Sequence, residues 1–340
     1  MHRSELTIDL GAVRHNARAL LHALGGAQLW AVVKANGYGH GASDVAGAAL
    51  GAGASALCVA TVAEGLTLRR DFPTARIVVM GPAQNREVGQ ARDAHLELVV
   101  SSNDEIPSGV RVHVKLDTGM GRWGVSELAQ PALEVVGLMS HLATADTDAA
   151  YAERQIERFR AATAPYTHLE RHIANSAAAL RYPSSAFDAA RCGIALYGLS
   201  PFGTDPAEDG LRPVLGWTSH VAQSKLLRAG ASTGYGRRFV ADRDTWIGIV
   251  PVGYADGFRR DMTGTTVRVG GESRRVVGTV SMDAFAVELD RELPPGTPVV
   301  IVGRGVLAEE HARAAETITY EIVCGIDSSP SRSRRVIVDA

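Results

Sequence analysis

The chain is short of several things, and each shortage narrows what it can be. Cysteine is scarce: 340 residues hold three, Cys58, Cys192 and Cys324, widely spaced and odd in number. That excludes a disulfide framework or a cysteine metal cluster and fits a reduced, cytoplasmic compartment. Excess charge is missing too. The formal net charge is −2 and no long Lys/Arg run occurs, so neither nucleic acid nor an anionic membrane is expected as a general partner. No stretch reaches the roughly 18 apolar residues that a spanning helix needs. The opening "MHRSELTIDLG" lacks the apolar core of a signal peptide, so none is expected. Internal repeats and low-complexity tracts are also lacking.

What is present is a soluble-type composition, 46% hydrophobic, in a chain long enough for two domains or a barrel with an appendage. Asp9 is placed to cap a helix carrying Val13, Ala17, Leu21 and Leu24 at helical spacing. Ser43 is placed to cap a second helix running to Leu50. Eight buried-looking runs follow one another: "LWAVV" (29–33), "ALCVA" (56–60), "RIVVM" (76–80), "LELVV" (96–100), "VRVHVKL" (110–116), "EVVGLMSHLA" (134–143), "HLERHIANS" (168–176) and "FDAARCGIALYG" (187–198). Helical patterns sit between most of them, the clearest over 151–162. This predicts an α/β chain built on a (β/α)8 TIM-type barrel. One unit is shortened, because "SSNDEIPSG" between the fourth and fifth runs is too short for a crossover helix.

The Pro- and Gly-rich stretch 197–213 reads as a linker. Beyond it come β-type runs with tight turns, among them a hairpin in "VRVGGESRRV" and one short helix over 308–315. The expected domains are a barrel over 10–212 and a C-terminal all-β domain over 213–340, with residues 1–9 packing on the latter.

Chemistry begins at "AVVKANGYGHG". Lys34 ends the first strand, on the face where barrel enzymes build their sites. Burial there would lower its pKa and make it suitable as a Schiff-base lysine, with the glycines at 37, 39 and 41 letting a planar group approach. The plainer alternative is a lysine that ends a strand and reaches solvent, and this stretch alone does not separate the two. Asn175 and Ser176 after the seventh strand, with Gly193 after the eighth, form a candidate phosphate cradle, although Asn-Ser is also an ordinary helix cap. A lysine on strand one and a phosphate cradle after strands seven and eight span roughly the length of pyridoxal phosphate.

In order along the chain, "AVVKANGYGHG", "HVKLDTGMGRWGV", "SHLATAD", "HIANSAA", "RCGIALYG", "PVGYADGFRR" and "GTVSMD" resemble the motifs of the alanine racemase family, barrel-type pyridoxal-phosphate enzymes. The resemblance covers nearly the whole chain. It implies an amino-acid racemase, an isomerase interconverting L- and D-alanine with two bases, Lys34 and Tyr254. Lys34 would carry the cofactor. Tyr38, Asn175, Ser176, Gly193 and Ile194 would meet its phosphate, and Arg191 its ring nitrogen. A guanidinium cannot accept a proton and discourages protonation of that nitrogen, which suits racemisation over transamination. His141 would assist Tyr254, whose unperturbed pKa near ~10 needs help to serve as a base, and would link onward to Arg191. Arg122 would bind cofactor and substrate carboxylate, with Lys115, which can be carbamylated in the family, orienting it. Met282 and Asp283 would line the substrate site from a partner subunit, and Tyr254 would reach the barrel mouth across a head-to-tail interface, so a homodimer with shared active sites is implied.

The chain departs from that pattern in places. "YEIVCGIDSSPSRSRRVIVDA" keeps Tyr320, Glu321 and Ile322 but lacks the aromatic that follows in the family, with Ser328 or Ser329 in its neighbourhood. Thr279 stands where some members have arginine, and 101–109 is shortened. These departures predict a wider entry and an alternative substrate such as serine or a larger amino acid. Two other classes share parts of this architecture. Barrel-plus-β decarboxylases generally pair the ring nitrogen with a carboxylate, which Arg191 argues against. A non-catalytic pyridoxal-phosphate-binding protein on a lone barrel is argued against by the β domain carrying Tyr254.

Overall fold

The computed structural model describes residues 2–303 and 305–340. The chain divides into two compact units. One holds 13–202 and 209–212; the other holds the N-terminal residues through Ala12, 203–208 and 213–340.

In chain order the elements to residue 192 are β1 (Glu5–Asp9), α1 (Leu10–Leu24), β2 (Gln28–Val32), α2 (Lys34–Tyr38), α3 (Ala42–Gly51), β3 (Ala56–Val59), α4 (Val62–Asp71), β4 (Ile77–Val79), α5 (Asn85–Asp93), β5 (Glu97–Val100), β6 (Val112–Lys115), β7 (Val135–Met139), α6 (Ala149–Thr163), β8 (Glu170–His172), α7 (Ser176–Arg181) and β9 (Ala189–Cys192). Asp9 Oδ1 accepts from the Ala12 N–H at 3.1 Å, as a capping residue does.

Strands β2 to β9 form one parallel sheet in the order β8-β7-β6-β5-β4-β3-β2-β9. Seven lie within the predicted runs, and β2 begins one residue ahead of its run, at Gln28. Strands β3 and β4 are wholly apolar, as strands covered on both faces are, whereas β5, β6, β8 and β9 carry buried polar residues, among them Glu97, His113, His172 and Arg191. Across the remaining seam, the Asp188 N–H donates to Arg171 O and the Arg191 N–H to Ala174 O, each at 3.0 Å, so the cylinder nearly closes. No helix joins β5 to β6, as the short 101–109 segment requires.

One local expectation changes. The N-cap of α3 is Gly41, with φ 98°, not Ser43, whose hydroxyl bonds Asp71 instead. The glycines at 37, 39 and 41 all have positive φ, so each also serves the chain's own backbone path. Residues Ala35, Asn36, Gly37 and Tyr38 all have φ between 52° and 63°, a left-handed turn. A Cβ at Gly37 would press on the Ala42 backbone at 3.2 Å. Left-handed backbone costs about 1–2 kcal/mol per non-glycine residue, and such strain tends to gather at functional sites. Glu64 steadies the turn: its carboxylate accepts the N–H groups of Ala35 at 2.7 Å and Ala60 at 2.8 Å.

The other unit adds to β1 the strands β10 (Leu215–His220), β11 (Gln223–Leu227), β12 (Ser232–Thr233), β13 (Phe239–Val240), β14 (Thr245–Val250), β15 (Thr266–Val269), β16 (Glu272–Val277), β17 (Phe285–Leu289) and β18 (Pro298–Val302), then α8 (Ala308–Ala314), α9 (Thr319–Cys324) and β19 (Arg334–Val338). Nine of its strands make one sheet, β11-β14-β17-β16-β15-β18-β10-β1-β19. The predicted hairpin is β15-β16 about Gly270-Gly271, and the predicted helix is α8. Helix α9 was not foreseen: at 6 residues it is too short to show periodicity. No helix among the described residues is long and apolar enough to cross a membrane.

Candidate active site

In the barrel unit the predicted residues gather at the carboxyl ends of the strands. Lys34 follows β2 and is half-buried. The left-handed turn after it sends the Tyr38 ring back so that its hydroxyl lies on Gly193, where a Cβ would overlap it. Tyr38 packs on Tyr197 with ring centroids 4.9 Å apart, and the Tyr197 hydroxyl donates to Val32 O at 2.9 Å. Ser176 Oγ accepts the N–H groups of Gly193 at 3.0 Å and Ala195 at 3.3 Å. Ile194 is fully buried between them. The structure thus brings Tyr38, Ser176, Gly193 and Ile194 together. Asn175 serves as the ordinary cap of α7, its Oδ1 accepting the Ala178 N–H at 3.0 Å.

Arg191 is not a surface residue; it is 3% exposed. Its Nη1 donates to His172 Nδ1 at 2.6 Å and His172 O at 3.0 Å, and its Nη2 to Ser140 O at 2.8 Å and His141 Nδ1 at 3.2 Å. Burial pushes its pKa down to about 10, which leaves it cationic at neutral pH. Because arginine only donates, His172 Nδ1 and His141 Nδ1 must both accept. Burial first, then the charge of Arg191, holds both imidazoles well below the usual histidine range, so both are neutral.

Arg122 lies on an exposed loop with its guanidinium 5.1 Å from the Trp123 ring centre. Lys115 is buried, and burial together with the charges of Arg122 and Arg191 lowers its pKa to about 8. Asp117 organises the loop between them: its carboxylate accepts the N–H groups of Gly119, Met120 and Gly121 at 2.8 to 3.1 Å.

The remaining predicted residues lie in the β unit. Tyr254 is 42% exposed at the start of a tight turn. The Tyr254 N–H donates to Ser281 O at 3.1 Å and the Ala255 N–H to Met282 O at 3.0 Å, which seats Tyr254, Met282 and Asp283 side by side. Gly253 is required there, since a Cβ would strike the carbonyl carbon of Met282 at 2.5 Å. Asp256 is fully buried and pairs with Arg3 at 2.8 Å, and Arg332 pairs with Asp283 at 2.7 Å. The Asp327 N–H donates to Asp256 O at 3.1 Å, so the departing segment around Ser328 and Ser329 adjoins the Tyr254 turn. Thr279 donates to Tyr235 O at 2.8 Å.

Comparison with known proteins matches the chain to two family models, "Alanine racemase, N-terminal domain" over residues 8–201 and "Alanine racemase, C-terminal domain" over 214–336. The chain belongs to the alanine racemase family. It is 40% identical over 354 residues to alanine racemase 1 of Bacillus subtilis, covering 96% of this chain and 91% of that protein. The alanine racemase structure from D-cycloserine-producing Streptomyces lavendulae superposes with a TM-score of 0.92 at 37% identity, covering 100% and 98% of the two chains. The Bartonella henselae alanine racemase with covalently bound pyridoxal phosphate superposes at 0.89 and 26% identity, covering 98% of this chain and 99% of that one.

Sequence reasoning passed over several residues that build this alanine racemase site. Asp117 sits inside a quoted motif, and an Asp before Gly-x-Gly is a recognisable turn former. Glu64 carried a local signal, the Thr61-x-x-Glu64 capping box of α4, but its reach to Ala35, 29 residues away, and the pairing of His172 with Arg191, 19 residues away, left no mark in the sequence.

Proposed function

We propose that the protein is a pyridoxal-phosphate-dependent isomerase that interconverts L- and D-alanine, working as a cytoplasmic homodimer with Lys34 and Tyr254 as its two bases. The observation that carries this reading is the cluster at the carboxyl end of the barrel: a half-buried lysine, a hydroxyl cradle around Gly193 and a buried guanidinium. That donor set fits the cofactor. Ser176, Tyr38 and the 193–195 backbone N–H groups suit a phosphate, and Arg191 suits an aromatic nitrogen that must stay unprotonated.

When bound, the cofactor withdraws electrons from Cα of the attached amino acid and so acidifies its proton. The protein's residues do the rest. Lys34 holds the cofactor and takes or returns the proton on one face of Cα. Tyr254, supplied by the second subunit, does so on the other. With its Nδ1 committed to Arg191, His141 keeps its proton on Nε2, where it can donate to a tyrosine oxygen and favour the phenolate. Arg122 binds the substrate carboxylate, and Met282 and Asp283 line the space beside Cα. A lysine with a pKa near 8, as at Lys115, is partly neutral at mildly alkaline pH, the form that carbamylation requires.

Incubation with L-alanine in deuterated water tests the reaction. The expected product is D-alanine with deuterium at Cα and no CO2. Release of CO2 would assign a decarboxylase, and no exchange with alanine, serine or bulkier amino acids would reject the racemase reading.

A further inference from the structure

A chain of buried polar groups runs through the barrel interior from its floor to Arg191. At the floor, Glu97 opens β5 and is 5% exposed. Its Oε2 accepts from His113 Nε2 at 2.9 Å. His113 Nδ1 meets His172 Nε2 at 2.9 Å, and His172 Nδ1 meets Arg191 Nη1 at 2.6 Å. The strands concerned are β5, β6, β8 and β9, so the chain crosses the interior instead of following one ladder.

The direction of every hydrogen bond in it is forced. Arginine can only donate, and an ionised carboxylate can only accept. Starting at Arg191, His172 Nδ1 must accept, so neutral His172 carries its proton on Nε2. That proton goes to His113 Nδ1, so neutral His113 carries its own on Nε2, aimed at Glu97. The same answer results from starting at the carboxylate. An extra proton on either ring would set two N–H groups against each other. Burial opposes it as well: both histidines are fully enclosed and lie below the usual range. Glu97 stays ionised, because hydrogen bonds from His113 and Arg76 outweigh its burial and hold it near about 2.

The surroundings are built to keep this chain in place. The Trp30 ring lies against His113 and His172, with centroids 5.7 and 4.5 Å away. Arg76 clamps Glu97 and Glu170 at 2.8 and 2.6 Å and lies 4.6 Å over Trp30. Gly137 does not have the positive φ that glycine often supplies, yet a Cβ there would overlap His113 Nδ1. That glycine therefore provides space for the imidazole. The hydrogen bonds of Arg191 go to neutral acceptors, so the ionised group the relay connects it to is Glu97, two rings away.

We propose that Glu97 and His113 are positioning residues for Arg191, acting through His172 to fix which guanidinium nitrogen faces inward and which remains for the cofactor side. This rests on the reading of Arg191 as the partner of the cofactor ring nitrogen. The arrangement is one-way. It holds Arg191 by charge-assisted hydrogen bonding without placing a carboxylate beside the cofactor, where it would invite ring protonation.

The test uses holoenzyme labelled with 15N at histidine. His113 and His172 should each show a protonated Nε2 and a bare Nδ1, with no titration between pH 6 and 9. Glu97→Gln keeps the shape and removes the charge. It should broaden or shift the ring nitrogens of both histidines and change the pH dependence of the cofactor absorption. It should also lower kcat roughly tenfold, short of the ~100-fold that a misplaced reacting group costs, with KM for alanine within about twofold; Glu97→Asp should recover part of the loss. An imidazolium at either position in the unaltered protein overturns the relay, and that spectrum needs no variant to fold. Altered histidine signals with unchanged kcat and cofactor absorption would overturn its hold on Arg191. A protein with the expected signals that fails to racemise would fault the functional reading instead.

Discussion

The two units place their chemistry in opposite ways. In the barrel the proposed site residues rest on buried ionised and polar groups: Arg191 and Lys115 are each 3% exposed, and strained left-handed backbone follows Lys34. In the β unit Tyr254, Met282 and Asp283 lie at the surface, held by backbone hydrogen bonds and close packing at Gly253. The barrel thus tunes protonation states through desolvation and fixed donors, which act strongly in a low dielectric. The β unit places its residues by backbone hydrogen bonds and packing, with surface ion pairs such as Arg332 with Asp283. Tyr254 is 42% exposed there, on a turn fixed by backbone hydrogen bonds to Ser281 and Met282.

Removing each proposed base should separate the two units most sharply. Lys34→Ala should abolish activity together with the absorbance of the bound cofactor. Tyr254→Phe should leave cofactor binding intact and slow turnover by roughly 10²–10⁴-fold, the worth of a positioned acid or base. Spectral titration beside steady-state rates reads both, and a Tyr254→Phe enzyme of full activity would reduce that tyrosine to a packing role.

A smaller effect is expected from paired glycine changes. Gly193→Ala should displace the Tyr38 hydroxyl and weaken cofactor binding by about 10- to 100-fold while leaving the β unit's unfolding unchanged. Gly253→Ala should destabilise the β unit by about 3 kcal/mol, because its Cβ meets immobile backbone carbonyls. Cofactor titration and thermal unfolding separate the two outcomes. Equal loss of cofactor in both would contradict the division of labour.

The mildest difference is in acid sensitivity. Burial holds three histidines of the barrel, His113, His141 and His172, below the normal histidine pKa of 6.5, and one of the β unit, His311. A depressed folded pKa means that the unfolded chain takes up protons first as pH falls. The stability these groups contribute is therefore present above pH 6.5 and declines below it. Glu97, held near 2 from 4.5, contributes stability above pH 4.5 that is lost as pH falls toward 2. Hydrogen exchange between pH 7 and 4 should show barrel strands losing protection before β-unit strands, and the reverse order would count against buried neutral histidines.

Much of this was legible in the chain. Eight strands, the missing helix after Val100, the β15-β16 hairpin and the family motifs are all local patterns whose period or spacing survives in one dimension. Ser43 misled because a capping residue type two positions past the true cap, in the first turn of the helix, looks like a cap, while the actual Gly41 is set by the left-handed path leading into it. The left-handed path through Ala35 to Tyr38 was likewise hidden, because φ is not revealed by composition.

By itself, the sequence determined the barrel, the β-rich remainder and the identities of the residues able to do the chemistry, because hydrophobic period and motif order are properties of neighbours along the chain. Only the tertiary structure decided that Glu97, His113, His172 and Arg191 form one directed line. It also decided that Gly137 exists to admit an imidazole. The reason is geometric: curling the strands into a cylinder brings side chains 16 to 59 positions apart within hydrogen-bonding distance, and there the donor and acceptor ends alone dictate where each proton sits.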